Sequence, residues 1–166
     1  MGLKGNGDLT FYLSFKADEN WTGKNQLDYS DKNEMLDWFK REYSEWSPFW
    51  YELFENAATP FVLRPVYCMP LDQKWEALPN LTMLGDAAHL MPPSAGEGAN
   101  MAMLDALVLS ESLCNEDFID IQSAISSYEN NMRERAVTAA RKSLDNGKWM
   151  HSPGALDKMQ GFFGTK

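Results

Sequence analysis

The stretch from Gly85 to Asn100, GDAAHLMPPSAGEGAN, concentrates the residue types that could do chemistry. Asp86 could accept hydrogen bonds from sugar or polyol hydroxyls, because an acid directly after a strand lies at the carboxyl end of a sheet. Gly96 and Gly98 precede a helix, where backbone N–H groups point toward negative charge and a missing Cβ allows close approach. The pattern predicts a site for an anionic, hydroxyl-bearing ligand, although a tight turn before a helix would use the same glycines.

The known nucleotide-binding motifs do not describe this loop. The run Gly96-Glu97-Gly98-Ala99-Asn100-Met101 has methionine where G-x-G-x-x-G needs a small last residue, and the run contains no lysine. This excludes both the first turn of a Rossmann fold and a Walker loop. His89 could act as a general acid or base, but a packed histidine that holds the loop is the favoured interpretation.

Three elements must position the loop. Leu81 to Leu84 is a short apolar run, which predicts a buried strand of an α/β sheet. Asn100 to Cys114 predicts a helix that is apolar on most sides and therefore buried. Ile121 to Asn146 predicts a long helix with one apolar stripe, ended by Gly147.

The first half of the chain mixes strand and helix patterns. Leu9 to Phe15 and the run 61–71 predict strands, the second restricted to a sheet edge by its prolines. Asp31 and Glu34 predict a capping box at the start of an amphipathic helix, and a second short helix is predicted over 49–56.

Composition limits the function classes. The chain has 166 residues, 44% of them hydrophobic, enough for one ordinary domain or two small lobes. Its net charge of -9 argues against a nucleic-acid surface. Cys68 and Cys114 show neither metal-ligand spacing nor a disulfide framework, so we expect no metal site and a reducing cytoplasm. No apolar run is long enough to span a bilayer.

The loop resembles a known cofactor motif. The chain is similar in this region to the C-terminal flavin motif of class A flavoprotein monooxygenases, the aromatic-hydroxylase superfamily. The matching residues are Gly85-Asp86-Ala87-Ala88-His89, Pro93, Gly96, Gly98, Asn100 and Asp105-Ala106. The wider run 81–113 looks most similar to the tetracycline-inactivating flavin monooxygenases, and a weaker resemblance covers the whole chain.

The resemblance implies FAD as cofactor and NADPH as its reductant. It gives Asp86 a hydrogen bond to the ribityl or phosphate region of FAD. The backbone at Gly98, Ala99 and Asn100 would face the pyrimidine end of the flavin ring, where a helix N-terminus stabilises negative charge on reduced flavin. Pro93 would lie beside the reactive edge of the ring. The cofactor carries most of the chemistry, so no residue is predicted as catalytic.

The implied reaction is hydroxylation of a small aromatic or enolic compound, and a tetracycline-like antibiotic is one candidate. The predicted substrate contacts are Pro93, Ser94 and Met150. Met150 is included because, in the family that the chain resembles, a methionine of the C-terminal helix lines the substrate cavity. Members that degrade tetracycline carry a large aromatic residue where this chain has Ser94, and glutamine where it has Glu97.

The expected architecture is α/β: a partial FAD/NAD(P)-binding fold, part of the substrate-domain sheet and a long C-terminal helix. We expect a partial substrate-binding domain over 1–78, an FAD-binding segment over 79–116 and a helical segment over 117–166. The N-terminal half that holds the ADP part of FAD is expected to be missing, so the chain alone should bind FAD weakly and be inactive. The alternative is a non-catalytic interaction module that self-associates or pairs with a separate N-terminal half.

Overall fold

A computed structural model describes residues 2–164, apart from the side chains of Phe162 and Phe163. The chain divides into two compact units, residues 1–65 and 66–166. Helices predominate and the described residues form one small sheet. This mixture of helices with a small sheet is compatible with the partial α/β fold that the sequence predicts.

The first unit begins with a small sheet and continues with short helices. Its elements are β1 (Gly2–Leu3), β2 (Leu9–Thr10), α1 (Trp21–Lys24), α2 (Lys32–Glu42), a 3₁₀ turn (Pro48–Trp50) and α3 (Tyr51–Glu55). The two strands are antiparallel, with Gly2 opposite Thr10 and Leu3 opposite Leu9. The strand predicted to Phe15 is therefore paired only over its first two residues.

Aromatic side chains form the core of the first unit. Phe39 of α2 stacks on Phe54 of α3 with ring centroids 4.5 Å apart. The Asp31 side chain accepts hydrogen bonds from the backbone N–H groups of Asn33 and Glu34, which confirms the predicted helix start. The core residues are Met35, Leu36, Trp38, Phe39 and Phe54, with Phe11, Leu13 and Phe15 packed against them.

The second unit consists of helices around the predicted loop. Its elements are α4 (Asp86–His89), a 3₁₀ turn (Pro93–Ala95), α5 (Gly98–Cys114), α6 (Ile121–Met150) and α7 (Ala155–Phe163). A capping box between Asp120 and Ser123 starts α6. Two groups of buried side chains form its core: Ala88, Tyr128 and Met132 in one, and Met91, Met101 and Ala140 in the other.

The predicted buried strand at 81–84 is wrong. This segment makes one isolated bridge, between Leu78 and Leu81, and Leu81 is 61% exposed. Among the described residues, no strand lies beside the segment 81–84 and pairs with it in a ladder. The run 61–71 likewise forms no strand, since Pro65 and Pro70 cannot donate to a ladder.

Two helix predictions also need correction. The helix α5 is buried on one side only. On its other side, the residues Met103 and Leu107 are 65% and 53% exposed. The helix α6 does not stop at Gly147 but continues to Met150. Glycine at position 147 is explained by packing rather than by termination, since a Cβ there would lie 3.2 Å from the Ser94 hydroxyl.

Within the described residues, none of the helices is long and apolar enough to cross a membrane. Both cysteines are free thiols. Burial raises the pKa of the Cys68 thiol above its ordinary value.

Candidate functional site

The loop begins at a position that only glycine fits well. Gly85 is buried and has a φ of +59°, in the left-handed region that favours glycine. A Cβ at this position would lie 3.0 Å from the Ala102 Cβ on α5. The start of the loop therefore lies directly against the second turn of α5.

A buried carboxylate ties this end of the loop to both long helices. Asp105 of α5 is fully buried, and its Oδ2 accepts a hydrogen bond from the Gly85 backbone N–H at 3.0 Å. The same oxygen lies 2.5 Å from the Nε2 of His89, which is 3% exposed. The other oxygen, Oδ1, lies 3.1 Å from an Arg135 guanidinium nitrogen on α6. His89 is thus the packed histidine that the sequence favoured.

The second half of the loop is held by the C-terminal part of α6. The Ser143 hydroxyl donates to the Pro92 carbonyl and accepts from the Ala95 N–H at 3.2 Å. The Asn146 side-chain amide donates to the Ser94 carbonyl at 3.2 Å. Two separate sets of polar contacts therefore fix the loop at both ends. Of these contacts, the sequence predicted only that His89 holds the loop.

The predicted cofactor residues lie on the open side of this loop. Asp86 is exposed, and its side chain makes no hydrogen bond to the described residues. Pro93 and Gly96 are also exposed, and Gly96 has a φ of +66°. The acceptor oxygens of Asp86 are consequently free for a ligand.

Helix α5 begins at the end of the loop. Its first backbone hydrogen bond runs from the Met101 N–H to the Glu97 carbonyl at 2.9 Å, so the N–H groups of Gly98, Ala99 and Asn100 have no partner within the helix. Ala99 and Asn100 are exposed and Gly98 is half-buried. The free donors and the helix dipole favour an anionic or electron-rich group at this end.

The three predicted substrate residues differ in their surroundings. Ser94 is half-buried beside Gly147, and Pro93 precedes it on the exposed surface. Met150 is half-buried at the last residue of α6, three residues beyond Gly147. The loop is therefore a neighbour of the C-terminal part of α6 at Asn146 and Gly147.

The segment before the loop is anchored on α6. Glu129 is 2% exposed and accepts hydrogen bonds from the Trp75 indole N–H at 2.8 Å and the Thr82 hydroxyl at 2.9 Å. The Tyr128 hydroxyl donates to the Met83 carbonyl at 3.0 Å. Burial, followed by the nearby charge of an aspartate, raises the pKa of Tyr128 well above its ordinary value.

An open groove of about 480 Å³ lies between the start of α5 and α6. It is lined by Glu97, Met101, Glu134, Arg135, Thr138, Ala139 and Lys142. A salt bridge of 2.9 Å joins Lys142 to Glu97 at its edge. None of the predicted flavin contacts lines it, so we do not assign the flavin ring to this groove. Within residues 2–164, no cluster of three His, Cys, Asp or Glu side chains could hold a metal ion.

Comparison with known proteins finds a similarity in the region of the loop. Residues 78–143 match a family model described as FAD binding domain. The match covers Thr82 and Met83 of the anchored segment, the loop, α5 and most of α6. These residues are therefore similar to part of an FAD binding domain.

The chain is also similar to relatives that are named monooxygenases. The chain is 31% identical over 155 residues to a 6-hydroxynicotinate 3-monooxygenase of Bordetella bronchiseptica, covering 90% of this chain and 37% of that protein. It is 30% identical over 152 residues to a 6-hydroxynicotinate 3-monooxygenase of Pseudomonas fluorescens, with the same coverage of 90% and 37%.

A fungal relative matches a shorter part. Over 94 residues the chain is 37% identical to the dual O-methyltransferase/FAD-dependent monooxygenase CTB3 of Cercospora beticola, covering 55% of this chain and 11% of that protein. The chain thus spans between about a tenth and two fifths of the length of these relatives. The names of these relatives describe monooxygenases.

Proposed function

We propose that this chain is the flavin-side segment of an FAD-dependent monooxygenase. The observation that carries the proposal is Asp86, an exposed carboxylate with no partner among the described residues, on a loop fixed at both ends. In this proposal Asp86 accepts hydrogen bonds from the ribityl hydroxyls of FAD. The N–H groups that start α5 then face the electron-rich end of the flavin ring.

The residues of the loop bind and orient the cofactor rather than react themselves. Bound FAD would supply the redox chemistry, with NADPH as the proposed reductant and molecular oxygen as oxidant. Gly96 and Gly98 leave the backbone open to close approach, and Pro93 is the proposed neighbour of the reactive edge of the ring. No side chain of this segment is assigned a proton-transfer step.

The proposed partner is a separate or preceding N-terminal half that holds the ADP part of FAD. The apolar face of α5 supports this, since Met103, Leu104 and Leu107 are 65%, 38% and 53% exposed. Leu81 and Leu84 add further exposed apolar area. Surfaces of this kind mark protein contacts in soluble proteins. The chain alone is expected to bind FAD weakly and be inactive, and self-association through the same face is an expected side effect.

The proposed substrate is a small aromatic or enolic compound. The relatives named 6-hydroxynicotinate 3-monooxygenase support an aromatic ring as the substrate class. Pro93, Ser94 and Met150 are the proposed contacts. A tetracycline-like antibiotic remains a candidate, but Ser94 packs beside Gly147 and offers no apolar wall. The smaller ring is therefore our preferred substrate. Cytoplasmic location is proposed from the two free cysteines.

An NMR titration tests which part of FAD the loop binds. The ¹⁵N-labelled chain is titrated separately with FAD, FMN and ADP at millimolar concentrations, and backbone amide shifts are mapped on the sequence. We expect FAD and FMN to shift the amides of 85–100, because both carry the ribityl chain and the flavin ring. We expect ADP to leave these amides unchanged.

Variants at two exposed acids provide the control. Asp86→Asn removes a charged acceptor, which we expect to weaken FMN binding about tenfold or more, since such hydrogen bonds contribute about 1.5–3 kcal/mol. Asp117→Asn removes the same charge from the exposed segment between α5 and α6 and should leave binding unchanged. Equal loss in both variants, or loop shifts with ADP as large as with FMN, would contradict the proposal.

A further inference from the structure

Asp105 is the most heavily used polar side chain of the second unit. It is 0% exposed and accepts hydrogen bonds from three donors, two in the segment 85–89 and one on α6. These are the Gly85 N–H, the His89 ring and the Arg135 guanidinium, at 3.0, 2.5 and 3.1 Å. Burying a carboxylate is costly unless it is paired and hydrogen-bonded, and here both oxygens are used.

Two of the three donors flank Asp86. Gly85 directly precedes it and His89 follows three residues later, and both donate to the same oxygen of Asp105. The short helix α4 is therefore held at its two ends by one buried atom. Asp86 takes no part in this contact and remains exposed. Holding the loop and contacting a ligand are thus tasks of different aspartates.

Only a carboxylate satisfies all three donors at once. If an asparagine at position 105 placed its oxygen toward Gly85 and His89, its NH₂ group would face the Arg135 guanidinium, donor against donor. If it were turned over, the NH₂ group would face the Gly85 N–H, which cannot accept. The amide therefore leaves one buried donor unpaired in either orientation.

We propose that Asp105 is the positioning residue of the flavin loop: its carboxylate fixes the segment 85–89 on α5 and so holds Asp86 where it meets the cofactor. This inference rests on the proposed function, because it takes the ribityl chain of flavin as the group that Asp86 meets. Arg135 compensates the buried charge from α6. His89 acts as a donor to Asp105, with its Nε2 protonated.

The test compares Asp105→Asn with a designed rescue, Asp105→Asn combined with Arg135→Gln. In the double variant the asparagine oxygen accepts from Gly85 and His89, while its NH₂ group donates to the glutamine oxygen. Three readouts are measured on the ¹⁵N-labelled chain: hydrogen exchange of the Gly85 amide, the ¹⁵N shifts of the His89 ring, and the amide shifts caused by FMN.

In Asp105→Asn we expect Gly85 exchange about tenfold faster or more, a changed His89 ring spectrum and FMN affinity lower by about tenfold. The double variant should recover all three toward the wild-type values. Glu129→Gln is the matched control, because it also neutralises a buried acid on a long helix, but one that holds a different segment. It should leave Gly85 exchange and FMN binding unchanged.

Each possible result of this test supports or rejects a specific part of the proposal. Unchanged Gly85 exchange and an unchanged His89 spectrum in Asp105→Asn would overturn the proposal, as would equal effects in the Glu129 control. Faster exchange with unaltered FMN binding would reject the link to the cofactor while leaving the proposed function intact. Absence of FMN shifts in the wild-type chain would reject the proposed function and, with it, the positioning of a flavin contact. If Asp105→Asn does not fold, a double variant that folds without protecting Gly85 overturns the inference.

Discussion

Glu129 offers a sharp test of how α6 holds the segment before the loop. Its carboxylate accepts from the Trp75 indole and the Thr82 hydroxyl while being 2% exposed. Arg133, one turn later on α6, lies 3.8 Å from it and covers the Trp75 ring at 4.7 Å. Glutamine and leucine at position 129 would change these contacts with Trp75, Thr82 and Arg133 in two different ways.

The expected magnitudes follow from the donors. Glutamine can accept from the Trp75 indole with its oxygen and donate to the Thr82 hydroxyl, which accepts as well as donates. We therefore expect Glu129→Gln to lower the free energy of unfolding by about 1.5 kcal/mol or less. Leucine removes the acceptor of the Trp75 indole N–H and of the Thr82 hydroxyl, and it removes the negative charge beside Arg133. We expect Glu129→Leu to cost about 3–5 kcal/mol, the range for breaking a buried charged pair.

Urea unfolding followed by the intensities of α6 amide signals measures both values. A double-mutant cycle with Thr82→Val separates the hydroxyl contact, because valine should cost less in the Glu129→Leu background, where the acceptor of the hydroxyl is already gone. The reasoning is refuted if Glu129→Leu unfolds within about 1 kcal/mol of the wild type. It is also refuted if glutamine and leucine are equally destabilising.

Three further substitutions have specific expected outcomes. Tyr128→Phe should lower the free energy of unfolding by about 1 kcal/mol at neutral pH, because the hydrogen bond of the hydroxyl is lost. Because the pKa of Tyr128 is raised in the folded chain, the stability of the wild type should fall as pH rises above the ordinary value of 10.0. This fall should be smaller in the variant. Ser143→Ala should speed amide exchange at Ala95 about tenfold, measured by NMR, because the N–H loses its acceptor; no change there would reject the anchor. Gly85→Ala should lower the melting temperature more than Gly96→Ala, since both require a positive φ but only the first meets a neighbouring side chain; equal losses would contradict the packing explanation.

Local signals in the sequence predicted α2, α3, α5 and α6, whereas α1, α4 and α7 were not predicted. The Asp31 cap and the 3.6-residue spacing placed α2 correctly, because these signals depend on residues close in the chain. The loop was recognised from a fixed-spacing motif, and the family match over 78–143 supports FAD binding there. The roles of Asp86 and the other predicted contacts stay predictions.

The strands were harder to predict because a strand needs a partner. The run 81–84 has the composition of a buried strand, yet its pairing depends on neighbours that the described residues do not supply. For the same reason α5 has more apolar residues than its surroundings cover. Composition indicates the environment for which a segment is suited, whereas the structure shows the environment that this chain provides.

The polar anchors of the loop were missed for a different physical reason. Glu129, Arg135, Ser143 and Asn146 are polar residues within a long helix, and pattern reasoning assigns such residues to solvent. Ser143 and Asn146 instead bind backbone N–H and C=O groups of the loop, which have no secondary-structure partners and must be satisfied locally. Glu129 and Arg135 bind side chains of Trp75, Thr82 and Asp105. The one acid at the start of this loop, Asp86, is exposed and does not bind the loop's own backbone. The helices beside it must therefore supply the buried acceptors and donors, which is the arrangement that Asp105 and Ser143 provide around Asp86.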